Sequence, residues 1–288
     1  QELLYEYCAK YGAEHDGSYQ PGRDFEFSDD HPSYLLCDGE QVFGAVSLMR
    51  TENFLSICKA RFSIFQTRTR DLKDYAQLWN AIRPHLEDLK SAYLFIPEER
   101  KLVAEILESL GFKIERYSFI LERGGSTLPA PDFPEGIFVH HLAPDDLEGI
   151  QQFADCINEE FRDLAGHTPS SAKFIQTFFE GEEYIPQGLC LLKRGPEPIG
   201  TIWMMHDVEN MKAGEIGALG ILEQFRGMGL GRSLLRYGYN FLIGQGLDPV
   251  ILSVNGENSG AIRLYESEGF QLTESVVCYS VDPTQVIP

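Results

Sequence analysis

Glu215-Ile-Gly-Ala-Leu-Gly-Ile221, followed by Leu222-Glu-Gln-Phe-Arg226-Gly-Met-Gly229-Leu-Gly231-Arg-Ser-Leu-Leu235, decides how this chain is read. An apolar strand-like run stops at a polar turn, passes through Gly227, Gly229 and Gly231, and enters a helical spacing of Leu230, Leu234 and Leu235. A helix that begins after glycines opens its first N–H groups toward whatever lies before it, which makes an anion site out of main chain. A flexible loop that merely caps a helix would use the same residues. The dinucleotide pattern G-x-G-x-x-G fails because residue 232 is Arg, and no G-x-x-x-x-G-K-[ST] is present.

Further on, the chain reads Leu252-Ser-Val-Asn-Gly-Glu-Asn258-Ser-Gly-Ala261-Ile-Arg-Leu-Tyr265-Glu-Ser-Glu-Gly269-Phe270. R-x-x-G-x-G at Arg226, followed by N-x-x-A-x-x-L-Y-x-x-x-G-F from Asn258, resembles the GNAT superfamily of acyl-coenzyme A-dependent N-acyltransferases. The resemblance covers the second half of the chain. It implies an α/β fold, a mixed and mostly antiparallel sheet flanked by helices, with a splayed parallel strand pair as the donor cleft. Acetyl-CoA is then the cosubstrate and a primary amine of a small molecule or peptide the acceptor, attacking directly. By the same resemblance Leu219, Gly220 and Ile221 pair with the pantetheine arm, and an N–H near Ile221 polarises the thioester carbonyl. Arg226, Gly227, Met228, Gly229, Leu230, Gly231 and Arg232 would hold the pyrophosphate. Asn258 and Ala261 would contact the coenzyme, and Tyr265 would give a proton to the departing thiolate.

The residues by themselves leave alternatives. Asn258 suits a helix N-cap equally well, and a tyrosine on a helix is commonly a packing residue. Acyl transfer to an amine needs a proton acceptor, and Glu215 is the candidate, acting through water. It alternates with Gly217, Leu219 and Ile221 on one strand face; as a solvated strand end it would do nothing. His206 is the alternative base. The competing function is a non-catalytic acyl-CoA-binding or interaction module on the same scaffold.

With 288 residues, 43% of them hydrophobic, the chain can bury one large core or two ordinary ones. The formal charge of −20 argues against nucleic acid or an anionic membrane as partner. Residues 1–126 hold 15 basic and 21 acidic groups, and the remainder 9 and 23. Residues 224–247 nevertheless contain no acid before Asp248 and carry Arg226, Arg232 and Arg236, as an anionic ligand requires. Cys8, Cys37, Cys58, Cys156, Cys190 and Cys278 stand singly, without ligand spacing, so thiols of a reducing cytoplasm are expected and a metal is not. No apolar run reaches the ~20 residues of a membrane span, and the start at Gln1 shows nothing like a signal peptide.

Patterning predicts a helix over 2–11, a hairpin of 34–37 and 41–49 about Asp38-Gly39, and a strand over 54–65. A helix over 71–90, a strand at 93–96, a helix over 97–110 and a strand at 112–122 follow. The Pro- and Gly-rich residues 124–136 read as a linker between domains 1–123 and 137–288. Beyond it come a strand at 137–142, helices to 162 and over 170–179, and a hairpin of 189–193 and 199–206. The halves repeat: Val103-Ala-Glu-Ile-Leu107-Glu-Ser-Leu-Gly111-Phe112 lies over Ala261 to Phe270 at an offset of 158, and Val42-Phe-Gly44 over Pro198-Ile-Gly200 at 156. The first copy has Leu107 for Tyr265, Arg100 for Asn258 and Gln66-Thr-Arg-Thr-Arg70 for the glycine loop, and lacks the first strand. It keeps a scaffold without the chemistry. Tandem arrangements are known in the superfamily, for example in mycothiol synthases, and nothing in these residues selects that substrate.

Overall fold

Asp38-Gly39-Glu40 turns β1 (Ser33–Asp38) back into β2 (Gln41–Met49), with Gly39 at φ +60°, a conformation that costs glycine nothing. The hairpin thus follows from its turn residues. The computed structural model describes all residues except 13, 14, 16–18, 24, 165 and 285–288, so part of the loop expected before residue 32 lies outside the described residues. By contacts the chain divides into unit 1, residues 1–118 with 274–288, and unit 2, residues 119–273.

In unit 1 the remaining elements are α1 (Glu2–Tyr11), α2 (Glu52–Leu55), β3 (Lys59–Thr67), α3 (Leu72–Ile82), β4 (Ser91–Pro97), α4 (Lys101–Ser109) and the first part of β5 (Lys113–Arg123). The single strand expected over 54–65 is instead a helical turn followed by a strand. Polar residues close the turn locally, Ser56 Oγ donating to the Asn53 carbonyl at 2.7 Å, and Cys58 at φ +54° breaks the extended chain. The core gathers Phe62, Phe65, Tyr75, Trp79 and Phe112, with Phe62 stacked on Phe65 at 5.3 Å. It also takes Val277, Tyr279 and Val281 from β11 (Gln271–Val281), which pairs antiparallel with β4.

Unit 2 contains β6 (Ile137–His141), α5 (Leu147–Glu160), α6 (Ala172–Phe178), β7 (Leu189–Arg194), β8 (Glu197–His206), β9 (Gly214–Ile221), α7 (Leu230–Gly244), β10 (Val250–Asn255) and α8 (Ser259–Ser267). Strands β6 to β9 are successive antiparallel neighbours, and β9 pairs parallel with β10. On one sheet face α7 packs Leu230, Leu234, Leu235 and Tyr239 over Ile202, Ile216 and Ile221. On the other, α5 packs Phe153 and Ile157 against Leu189, Leu191 and Trp203. Two buried faces explain why β7 to β9 are nearly continuous apolar runs.

The order β1-β2-β3-α3-β4-α4-β5 recurs as β7-β8-β9-α7-β10-α8-β11, so the repeat in sequence is a repeat of elements. Residues 124–136 form neither helix nor strand. They fall inside unit 2, whereas residues 274–288 go with unit 1 because the apolar residues of β11 complete its core.

Candidate active site

The β9–β10 pair opens. Its register runs Val250↔Gly214, Ile251↔Glu215, Leu252↔Ile216 and ends there, although the strands continue to Ile221 and Asn255. Across β9, the register with β8 shifts between Trp203↔Ala218 and Met204↔Ile216, so Gly217 is the extra residue of a β-bulge where the opening begins. Beyond it Leu219 and Ile221 pack toward α7, while Ala218 packs toward α5. The backbone of residues 217–221 keeps β8 as partner and has no β10 residue in register, among the described residues. A strand edge of this kind offers N–H and C=O groups to an extended, peptide-like ligand.

The opening leads to the glycine loop. Gly227 and Gly229 have φ of +81° and +79°, and Gly229 is the N-cap of α7 with no side chain bonded to the helix start. The N–H groups of the first turn therefore have no intrahelical or side-chain acceptor and face the loop. Met228 is exposed and Leu230 buried. A Cβ at Gly231 would stand 3.8 Å from Leu264 and 4.0 Å from Ile221, which places this glycine between the end of β9 and α8. In the first copy the corresponding helix, α3, is closed: its N-cap Asp71 accepts from the Lys73 N–H at 2.7 Å. One copy fills its helix N-terminus with its own carboxylate, and the other leaves it open.

The arginines expected beside the loop have protein partners. Arg226 Nε donates to the Ile221 carbonyl at 2.9 Å and its Nη2 to the Glu160 carbonyl at 3.2 Å. Arg232 donates to Ser267 Oγ at 3.1 Å and to the Glu268 carboxylate, which Arg236 also holds through Nε at 2.8 Å and Nη2 at 2.9 Å. Arg226 and Arg232 both lie at the loop, and their charge is shared between protein and any ligand there.

On α8, Asn258 is the N-cap, its side chain accepting from the Ala261 N–H at 3.1 Å. Both alternatives for it are compatible with this position, since the cap uses only its oxygen. Tyr265 is the buried residue of α8, 7% exposed and 6.1 Å from the Phe270 ring centroid. Burial pushes its phenol up to about 12, so it holds its proton at neutral pH and can give it to a stronger base. Leu107 occupies its place in the first copy.

Glu215 lies in the paired part of β9, opposite Ile251 and Met205 and ahead of the opening. His206 ends β8 with its Nδ1 3.1 Å from the Met211 carbonyl. The structure thus gathers residues 217–232, 258, 261 and 265 about one opening and sets Glu215 at its closed end.

Two further carboxylates belong here that the sequence did not single out. Glu160, at the end of α5, accepts from Thr201 Oγ1 at 2.5 Å and lies so near Gly220 that a Cβ there would come within 2.2 Å of Oε2. Burial pushes it up to about 8, against the hydrogen bonds from Thr201 and Cys156. In a run of Asn-Glu-Glu it reads as solvated. Glu268 reads the same way in Tyr-Glu-Ser-Glu. The signal for it was Leu110 at the same place in the first copy, since an apolar residue there marks an inward position.

Residues 150–270 match the family model described as "Acetyltransferase (GNAT) family". The chain is 30% identical over 160 residues to a mycothiol acetyltransferase of Streptomyces bingchenggensis, covering 54% of this chain and 49% of that one. It is 31% identical over 150 residues to a mycothiol acetyltransferase of Thermobispora bispora, covering 50% and 49%. The matches thus span about half the length of these curated relatives. Among solved structures, a GCN5-related N-acetyltransferase from Sphaerobacter thermophilus superposes with a TM-score of 0.69 at 18% identity, covering 91% of this chain and 83% of that one. A tandem GNAT protein from the clavulanic acid biosynthesis pathway gives 0.68 at 14% identity over 99% and 94%. These two likenesses concern the fold, and the second extends the tandem arrangement to both halves.

Proposed function

The chain is a GNAT superfamily protein, its residues 150–270 matching the family model, and from that premise we propose that unit 2 transfers acetyl from acetyl-CoA to a primary amine. The observation that carries this reading is the opened β9–β10 pair running into an uncapped helix N-terminus. An extended amide chain ending in a pyrophosphate meets a strand edge and then main-chain N–H groups, in that order. Acetyl-CoA, when bound, supplies the activated thioester.

The chain's own residues would do the rest. The bulge at Gly217 turns backbone groups of β9 toward the opening, where an N–H can stabilise the oxyanion of the tetrahedral intermediate. Tyr265 donates its proton to the leaving thiolate, and Glu215, reached through water from the closed end, takes one from the attacking amine. The net charge of −20 favours a cationic acceptor.

Calorimetry with acetyl-CoA tests the reading. One site per chain is expected, lost in Gly229→Glu, whose carboxylate would occupy the anion position. Tyr265→Phe should bind as wild type and acetylate amines about 10²- to 10⁴-fold more slowly. The acceptor panel includes the one for which the mycothiol acetyltransferases are named. Binding that survives Gly229→Glu would move the ligand out of this opening, and an unchanged rate in Tyr265→Phe would remove the tyrosine from the chemistry.

A further inference from the structure

Helix α8 carries Tyr265, and Tyr265 is its one buried side chain. Its counterpart α4 in the first copy buries Val103, Ile106 and Leu107, and Leu110 follows them into the core. Apolar seating thus determines where α4 lies. It does much less for α8, whose place must come from something else.

That something is a charge clamp. Glu268, the C-cap residue of α8, stands one turn beyond Tyr265, and its N–H reaches the Tyr265 carbonyl at 3.1 Å. Its side chain is 3% exposed, and both carboxylate oxygens are engaged by guanidinium groups of α7. Arg236 binds in the two-pronged geometry that fixes direction as well as distance, and Arg232 adds a second cation from the first turn after the glycine loop. The two arginines hold the carboxyl below its ordinary range despite its burial. A desolvated ion pair contributes little net stability, and its better-attested use is to specify one arrangement over others. The first copy, which lacks the tyrosine, has Leu110 in place of Glu268.

We propose that Glu268 is a positioning residue which, through Arg232 and Arg236, sets the Tyr265 hydroxyl relative to the glycine loop. The inference rests on the reading of Tyr265 as proton donor. Glu268 touches neither the coenzyme nor the acceptor; it acts by holding α8 against the helix that holds the pyrophosphate.

A double-mutant cycle on the full chain separates this role from stability. Wild type, Tyr265→Phe, Glu268→Gln and the double variant are compared at saturating acetyl-CoA, with Glu268→Leu as a second single variant that restores the apolar residue of the first copy. Glu268→Gln and Glu268→Leu should each lower kcat at least about tenfold, within the range positioned proton transfer supplies, with the KM for acetyl-CoA changed less than about threefold. The double variant should be no more than about twofold slower than Tyr265→Phe, because the two losses remove one interaction. Losses that multiply, or a kcat unchanged in both Glu268 variants, would overturn the proposal. If Tyr265→Phe alone leaves kcat unchanged, the proton-donor reading fails first and the positioning role falls with it.

Discussion

At the scale of single residues, Glu160 shows how burial converts an ordinary surface type into a titrating one. Its carboxyl has Thr201 Oγ1 and Cys156 Sγ as partners and the Arg226 charge nearby, yet burial outweighs all three and raises it from 4.5 to about 8. The folded protein therefore keeps a proton that the unfolded chain releases above about pH 4.5. That contribution to stability is complete below pH 4.5 and is lost as pH rises through about 8. Glu160→Gln, which cannot ionise, should match wild type near pH 4.5 and exceed it increasingly toward pH 9. The gain in thermal unfolding is at least on the order of 1 kcal/mol, since a tenfold difference in proton affinity between folded and unfolded chain is worth about 1.4 kcal/mol. A variant whose melting temperature tracks wild type over that span would show that Glu160 is not held protonated. The same position explains Gly220, since any side chain there would meet Oε2.

The elements differ between copies chiefly at their ends. Helix α3 carries its own N-cap in Asp71, and α7 has Gly229 with nothing to satisfy its first turn. Removing a capping carboxylate typically costs about 1 kcal/mol. Asp71→Ala should therefore lower the stability of unit 1 by that amount, measured by chemical unfolding, and leave acetyl-CoA affinity unchanged by calorimetry. A large change in affinity would place the coenzyme in the first copy. The parallel pair β3–β4 also ends after three residues in register, Lys59↔Ser91 to Arg61↔Tyr93, so the opening is a property of the repeated scaffold. What distinguishes the copies is what closes it: Phe62, Phe65 and Phe112 pack together in the first, where glycines stand in the second.

At the scale of the whole molecule, the halves of the sequence are not the units of the fold. Residues 274–288 belong to unit 1, where Val277, Tyr279 and Val281 pack among Trp79, Leu94 and Leu107. A fragment of residues 137–288 would expose these apolar side chains of β11, and a fragment of residues 1–123 would lack them. Neither should give a folded monomer by circular dichroism and gel filtration, whereas co-expression of residues 1–130 and 131–288 should restore one. A soluble, cooperatively melting 137–288 fragment would show that β11 is dispensable to unit 1. No helix among the described residues is long and apolar enough to cross a membrane.

Much of this was legible in the sequence because it is local. Glycines at 227 and 229 declare positive φ, the turn at Asp38-Gly39 declares a hairpin, and the spacing of Asn258, Ala261, Tyr265 and Gly269 puts a capped helix before Phe270. The duplication was legible for the same reason, as pattern repeated at a fixed offset. Other features depend on partners far apart in the chain and needed the tertiary structure. The loss of register after Ile216 is a property of two strands and not of either. Glu160 and Glu268 look solvated until Gly220 and Thr201, or Arg232 and Arg236, are brought against them. The membership of β11 in the other unit depends on which core has room for its apolar face. Periodicity and φ are set by neighbours in sequence, whereas desolvation, ion pairing and strand register are set by neighbours in space.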